Sequence, residues 1–208
     1  MVIGVTFAMM SLLFSQGNGL KCITCLNVNG SCTGPSMQCP LVLDSCSSMT
    51  TAAFFGDSKL LEGNSKGCYR NDQCFNGSLN YGSVRTTFST SCCNTDNCNT
   101  RTPAAVVNNF TNGRQCFSCV TTNNCSLKLP CLGNEDRCVT ASVDVAGQTL
   151  TSKGCVTSNV CSGFFAAQLE STAVDLYCCE GNLCNSAWRA GHSVLLLFWT
   201  LLSVLLLQ

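Results

Sequence analysis

The cysteines constrain the fold of this 208-residue chain more than any other feature. There are 20 of them, a density typical of secreted domains that disulfides hold together. They form two sets of ten that share C-x2-C at the start, C-x5-C in the middle and C-C-x4-C-N at the end. The tetrapeptide Ser65–Cys68 recurs as Ser152–Cys155. We infer a tandem duplication in which every thiol can pair within its own copy.

The charge balance argues against one class of partner. Lysine plus arginine and aspartate plus glutamate both number 11, which leaves no formal net charge. Nucleic-acid binding usually requires a basic excess, so no nucleic acid is expected as a partner. The hydrophobic fraction of 46% overstates the core, because it includes the cysteines and both apolar chain ends.

The N-terminal end is typical of a secretory signal. An apolar run covers Met1–Phe14, and the small residues Gly17 and Gly19 follow it. We predict a signal peptide over residues 1–19, cleaved after Gly19. No Lys or Arg precedes the run, and the alternative is a buried N-terminal strand.

The C-terminal end is typical of a glycosylphosphatidylinositol (GPI) attachment signal. The apolar stretch Val194–Leu207 would span about 21 Å as a helix, short of a hydrocarbon core of about 30 Å. Small residues precede it, and no basic residue follows it. We predict attachment at Asn185, or else at Ser186, with residues 186–208 removed as a propeptide. A short tail-anchored helix is the alternative.

The interior of the chain divides into two domains of β character. We predict a first domain over residues 20–100, a linker over 101–114 and a second domain over 115–185. Residues 139–145 alternate apolar and polar side chains, and residues 149–157 can return as a partner strand. In the first copy, residues 41–51 can pair with 65–70 around a turn near Gly56. Residues 169–177 could hold a short turn of helix.

The cysteine pattern resembles that of the Ly6/uPAR, or three-finger, domain over both copies. The resemblance implies an all-β, small disulfide-rich fold with two tandem three-finger domains. It also implies that Asn99 and Asn185, which follow the last cysteine of each copy, brace the disulfide knot by hydrogen bonds. The implied bridges are Cys22–Cys46, Cys25–Cys32, Cys39–Cys68, Cys74–Cys92, Cys93–Cys98, Cys116–Cys138, Cys119–Cys125, Cys131–Cys155, Cys161–Cys178 and Cys179–Cys184.

The resemblance also implies two possible functions. Two-domain members of this family are either GPI-anchored surface proteins or secreted inhibitors similar to gamma-type phospholipase A2 inhibitors. The C-terminal tail favours the first group. We therefore expect a GPI-anchored glycoprotein on the outer leaflet of the plasma membrane, which binds an extracellular protein ligand through its fingers. The alternative is a secreted inhibitor of an extracellular enzyme.

Catalysis and metal binding are disfavoured. The C-x2-C pairs could ligate zinc, but exported cysteines in even numbers usually pair oxidatively. Residues Gly63–Gly67 match G-x-S-x-G around Ser65, but that motif needs a histidine base. The only histidine, His192, lies in the predicted propeptide. We expect no enzyme activity, no metal and no cofactor.

Two further sets of residues are candidate surface sites. Sequons for N-glycosylation occur at Asn29, Asn76, Asn109 and Asn124, and an early disulfide at Cys125 would hinder the last. The apolar pairs of the fingers are candidate ligand contacts, because exposed aromatic clusters tend to mark interfaces. These residues are Phe54, Phe55, Phe164 and Phe165. Packing between the two domains is the alternative explanation.

Overall fold

The structure is a computed structural model, and it describes residues 19–28, 30–119, 124–162 and 174–186. Several predictions lie outside these ranges. They concern residues 1–18 of the signal peptide, the sequon Asn29, the apolar pair Phe164 and Phe165, and the C-terminal tail from residue 187. No helix of the described ranges is long and apolar enough to cross a membrane.

The chain folds as two compact units. The first contains Met1–Leu79 and Ser83–Asn108, and the second contains Asn80–Gly82 and Asn109–Gln208. The strands are β1 (Lys21–Ile23), β2 (Cys25–Val28), β3 (Ser36–Gln38), β4 (Ser45–Phe55), β5 (Ser58–Tyr69), β6 (Gly77–Asn80), β7 (Val84–Cys93), β8 (Thr111–Ser118), β9 (Leu127–Leu132), β10 (Arg137–Val145), β11 (Gln148–Val156) and β12 (Val174–Cys179). The described helical turns are a 3-10 turn at Asn71–Gln73 and a short helix, α1 (Ser158–Cys161). The prediction of an all-β fold rich in disulfides is confirmed.

The first unit is built on the long hairpin of β4 and β5. Strand order in its sheet is β6, β7, β4, β5, β2, while β1 and β3 form a separate antiparallel pair. The hairpin turns at Gly56, whose φ of 55° lies in the left-handed region that favours glycine. Both strands extend to this turn. β4 is therefore shifted four residues along the chain from the expected segment 41–51, and β5 is longer than the expected segment 65–70.

The second unit repeats this plan with β10 and β11. Strand β12 pairs with the other side of β10, and β8 pairs with β9. Ala146 and Gly147 both have positive φ at the hairpin turn, as the two-residue turns of tight hairpins require. The period-two pattern in 139–145 correctly located this hairpin.

One local expectation, a short turn of helix within residues 169–177, is contradicted over the described part of its range. Residues 174–177 lie in β12, where Tyr177 pairs with Thr140 and Leu176 with Ala141, and they do not form a turn of helix. The pairing partner is more than thirty residues away in sequence, so local propensity carried no signal for it. Residues 169–173 lie outside the described ranges.

Disulfides fill the centre of each unit. Ten bridges are present, and they join the same cysteines as the pairing implied by the family resemblance. The buried cluster of the first unit contains Cys22, Cys39 and Cys46. That of the second contains Cys116, Cys131, Cys138 and Cys155. Bridges therefore take the place of the aliphatic core that a chain of this size would otherwise need.

The segment between the copies is shorter and better ordered than a free linker. Strand β8 begins at Thr111, inside the range 101–114 assigned to the linker from sequence. Residues 100–108, which we call the strap, make hydrogen bonds to three strands of the first unit, as described below. The segment differs from the expected free linker because β8 pairs with β9 at one end and the strap bonds to the first unit at the other.

Candidate functional site

Each disulfide knot is closed by the asparagine that follows its last cysteine. Asn99 Nδ2 donates to the carbonyl oxygens of Ile23 (2.9 Å) and Ser47 (2.8 Å), and Asn99 Oδ1 accepts from the Ile23 amide (3.0 Å). Asn99 is buried, so its own polar atoms depend on these bonds rather than on solvent. The carboxamide thus ties β1 to β4.

Asn185 makes the same three bonds in the second unit. Its Nδ2 donates to Phe117 O (3.0 Å) and Val139 O (2.9 Å), while its Oδ1 accepts from the Phe117 amide (2.9 Å). The side chain is 1% exposed. An asparagine in this position is therefore a structural part of the domain.

The recurring tetrapeptide contributes a second repeated contact. Lys66 Nζ donates to Thr100 O at 2.6 Å, and Lys153 Nζ donates to Ser186 O at 3.2 Å. Both lysines are buried, and both acceptors lie one residue after the bracing asparagine. Burial lowers the pKa of the Lys153 ammonium. Each lysine therefore fixes the direction in which the chain leaves its domain, a role that the sequence motif alone did not indicate.

Each unit contains a group of three neighbouring cysteine sulfurs, and all of these sulfurs are in disulfides. Cys22, Cys39 and Cys68 bring their sulfurs within 4.8 Å of one another, as do Cys116, Cys131 and Cys155. All cysteines of the described ranges are in disulfides. These two groups therefore offer no thiolate to a metal ion.

The G-x-S-x-G match lies within a strand. Ser65 is in β5, paired with Met49 on one side and Leu26 on the other. A nucleophile elbow needs a sharp strand-to-helix turn, and this segment is a continuous ladder. Its lysine and its second glycine belong to the repeated Ser-Lys-Gly-Cys motif.

One face of the first unit's sheet is covered by the strap. Thr50 Oγ1 lies 2.6 Å from Pro103 O, Ser89 Oγ accepts from the Val106 amide at 3.1 Å, and Arg85 Nη1 donates to Asn108 O at 2.8 Å. These residues project from β4 and β7 on the same side of the sheet. We call this side the covered face.

Phe54 belongs to the covered face, which corrects one predicted contact. It is 8% exposed and shares its side of β4 with Thr50 and Ala52, since alternate residues of a strand face the same way. Phe54 therefore packs inside the unit and cannot serve as a ligand contact in this conformation. Its neighbour Phe55 is 58% exposed and projects to the opposite side.

The opposite side of the sheet, which we call the outer face, is apolar and exposed. Pairing places Phe55 beside Val84, Ala53 beside Leu61, and the residues Leu26 and Val28 beside Ser65 and Gly63. Leu26 is 82% exposed, and Val28, Leu61, Phe55 and Val84 are also exposed. One face thus carries large apolar side chains from four neighbouring strands, the type of surface that marks interaction sites.

A glycine lies in the middle of the outer face. Gly63 pairs with Val28 on one side and Thr51 on the other. A Cβ added to Gly63 would come no closer than 3.9 Å to any neighbouring atom, so internal packing does not demand a glycine there. Gly63 therefore leaves space between the exposed apolar side chains of this face. Sequence reasoning found Phe55 but missed Leu26, Val28 and Val84, because only the register brings them together.

Three of the four sequons lie in described residues. Asn76, Asn109 and Asn124 are exposed. The Asn76 Oδ1 accepts from the Thr90 amide at 2.7 Å, and the Asn124 Oδ1 accepts from the hydroxyl of Ser126 in its own sequon at 2.7 Å.

Comparison with known proteins agrees with this architecture. The chain is 32% identical over 210 residues to the urokinase plasminogen activator surface receptor of Mus musculus, and 27% identical over 187 residues to that of Bos taurus. It covers 64% and 56% of those proteins, and the alignments take in 92% and 84% of this chain. It is also 37% identical over 94 residues to lymphocyte antigen 6E of Gallus gallus, covering 39% of this chain and 71% of that protein.

The chain thus spans about 60% of the length of the curated surface receptors that it matches. The sequence model of the u-PAR/Ly-6 domain matches twice, over residues 18–101 and 112–187. Both matches contain a full set of ten cysteines, and each ends just beyond a bracing asparagine. This protein therefore belongs to the u-PAR/Ly-6 domain family.

Proposed function

We propose that this protein is a non-enzymatic, receptor-like glycoprotein of the cell surface that binds an extracellular protein through the outer face of its first unit. The observation that carries the proposal is the exposed apolar surface formed by Leu26, Val28, Phe55, Leu61 and Val84. Disulfides anchor one end of each strand of this face, at Cys25, Cys46, Cys68 and Cys92, and a surface built on anchored strands loses less conformational entropy on binding. Similarity to surface receptors supports a recognition role.

Paired variants of the two phenylalanines test the outer face. Phe55→Ser should reduce binding of the purified chain at least tenfold, measured on cells that bind the parent chain. Aromatic anchors of an interface contribute about 2 kcal/mol or more. Phe54→Ser should instead lower the melting temperature, because it places a hydroxyl in a buried apolar position. Binding that survives Phe55→Ser and Leu61→Ser together would contradict the proposal.

Gly63→Val provides a complementary test. There is room for a side chain at this position, and valine favours strands, so the variant should fold as well as the parent. It would, however, place a branched side chain in the middle of the outer face and so hinder a ligand. Normal binding by a normally folded Gly63→Val chain would move the contact site elsewhere.

We propose further that the chain is attached to the membrane by GPI. Asn185 is a buried residue held by three hydrogen bonds, whereas Ser186 is exposed, so we prefer Ser186 to Asn185 as the attachment residue. Phosphatidylinositol-specific phospholipase C should release the protein from intact cells. Resistance to the enzyme would contradict GPI attachment, and a chain found only in the medium would favour the secreted-inhibitor alternative.

We also propose N-glycans at Asn29, Asn76 and Asn109. Asn124 is exposed, but glycosylation there must compete with closure of the Cys119–Cys125 bridge. Replacing each asparagine by glutamine in turn should remove one glycan-sized step on a gel. Absence of any step would refute glycosylation at that position.

A further inference from the structure

A polar cavity in the second unit contains a cation that lacks a partner. The cavity has a volume of about 370 Å³ and is lined by Asn112, Gly113, Arg114, Asp136 and Asn182. The guanidinium of Arg114 makes no hydrogen bond or ion pair with any residue that the structure describes. Arg114 is half-buried in β8.

A β-bulge aims Arg114 at this cavity. Thr111 pairs with Leu132 and Gln115 with Pro130, so three residues of β8 face a single residue of β9. The φ of Gly113 is 85°, a conformation that favours glycine. Bulges of this kind redirect a side chain out of the regular ladder, and here the redirected residue is the arginine.

The other walls are fixed by hydrogen bonds. Asn112 Nδ2 donates to Gly133 O and to Glu135 O, both at 3.0 Å, while Asn112 Oδ1 accepts from the Arg114 amide at 3.0 Å. Asn182 Oδ1 accepts from the Gln115 amide at 3.0 Å, and this leaves its Nδ2 group able to donate to a ligand. The cavity is therefore preformed.

The acid in the cavity is paired with a different arginine, Arg137. Asp136 Oδ1 accepts from the Ser158 amide at 2.7 Å, and Asp136 Oδ2 accepts from Arg137 Nη1 at 3.1 Å. Arg137 also lies 3.5 Å from Glu180. Asp136 is therefore paired with Arg137, which it shares with Glu180, and it makes no ion pair with Arg114.

We propose that this cavity binds the carboxylate of an aspartate or glutamate side chain from an extracellular protein partner. A guanidinium matches a carboxylate with two parallel hydrogen bonds. Asn182 Nδ2 and Asp136 Oδ2 can then take a main-chain carbonyl and a main-chain amide of the same segment. The lining contains no aromatic or aliphatic residue against which a sugar ring could pack, so an acidic peptide fits the cavity better than an acidic sugar.

The test uses two short peptides and the purified chain. Acetyl-Gly-Glu-Gly-amide should shift the side-chain NMR signals of Arg114 and Asn182, and acetyl-Gly-Gln-Gly-amide should bind at least about tenfold more weakly, because it lacks the charge. Arg114→Gln should abolish the shift of Asn182. Arg101→Gln, which removes the same charge from the first unit, should leave that shift unchanged.

Three results would overturn the proposal. The first is equal binding of the glutamate and glutamine peptides. The second is binding that persists in Arg114→Gln while the remaining amide signals show an intact fold. The third is a response of Arg114 to N-acetylneuraminic acid methyl glycoside with none to the glutamate peptide. The site is independent of the outer face of the first unit, so loss of binding in Phe55→Ser bears on the other proposal only.

Discussion

At the residue scale, the two asparagines after the last cysteines carry the strongest structural role. Each is a buried residue whose carboxamide makes three hydrogen bonds to the backbone, and the free-energy cost of leaving such groups unpaired is high. The family resemblance located both residues, but only the geometry shows that their partners are equivalent. Asn99 joins Ile23 to Ser47, and Asn185 joins Phe117 to Val139.

We expect Asn99→Ala to lower the free energy of unfolding by about 2–4 kcal/mol, because two carbonyls and one amide lose their partner together. Asn185→Ala should cost a similar amount. Denaturant unfolding with the disulfides intact measures both. Asn94→Ala is the control, since Asn94 is exposed and should lie within about 0.5 kcal/mol of the parent. Equal stabilities for the Asn99 and Asn94 variants would contradict the role assigned to Asn99.

Lys153 gives a pH dependence of defined sign. Its pKa is lowered in the folded chain by burial, from an ordinary value of 10.5, so the unfolded chain binds the proton more tightly. The free energy of unfolding should therefore rise as pH increases from the lowered pKa towards 10.5. Below the lowered pKa, Lys153 is protonated in both states and this gain is absent. Lys153→Met should remove that rise, whereas Lys128→Met, at an exposed position of β9, should retain it. Thermal unfolding between pH 7 and 10 provides the measurement, and parallel curves for parent and Lys153→Met would refute it.

At the element scale, strand parity decides which apolar residues are available for recognition. Phe54 and Phe55 look equivalent as a dipeptide, but they lie on opposite faces of β4. Because successive side chains of a strand point to opposite faces, the sequence was enough to predict that these two residues lie on different faces. The sequence could not say which of the two faces is covered, because the cover is the strap, a segment about fifty residues away.

The strap should also control proteolysis. All bridges lie within 22–98 or 116–184, so on a non-reducing gel only a cut between Cys98 and Cys116 separates the halves. We expect trypsin to cut after Arg101, which is exposed, and not after Arg114, which is half-buried in β8. Mass spectrometry of the two fragments identifies the bond.

A pair of isosteric variants tests the contribution of the strap. Thr50→Val removes the hydroxyl that contacts Pro103 O and should accelerate the cut at Arg101 severalfold, because local opening becomes less costly. Thr51→Val changes the neighbouring position on the outer face and should leave the rate unchanged. Cleavage at Arg114, or equal rates for both variants, would contradict this description of the strap.

At the scale of the whole molecule, the first unit extends beyond its last cysteine. A fragment of residues 20–108 contains the strap, and a fragment of residues 20–100 lacks it. The hydrogen bonds of Thr50, Ser89 and Arg85 to the strap should contribute about 1–3 kcal/mol, which corresponds to at least about 4 °C in the melting temperature of a domain this size. Calorimetry of the two fragments measures the difference, and identical melting temperatures would show that the strap adds nothing.

The sequence by itself determined the features that are local or repeated. The duplication, the β hairpin of residues 137–156 and membership of a disulfide-rich all-β class all follow from spacing and alternation along the chain. The bridge partners required the family resemblance, because ten cysteines can pair in many ways.

Only the tertiary structure decided which surfaces are available. Whether Phe54 or Phe55 is exposed depends on a strap distant in sequence, and the apolar outer face depends on the register of four strands. The cavity at Arg114 depends on a bulge between β8 and β9 and on a turn at Asn182, far along the chain. Cysteine spacing and side-chain alternation can be seen in neighbouring residues. Which face of a sheet is covered, and which side chains come together in a cavity, depend on distant segments that meet only when the chain has folded.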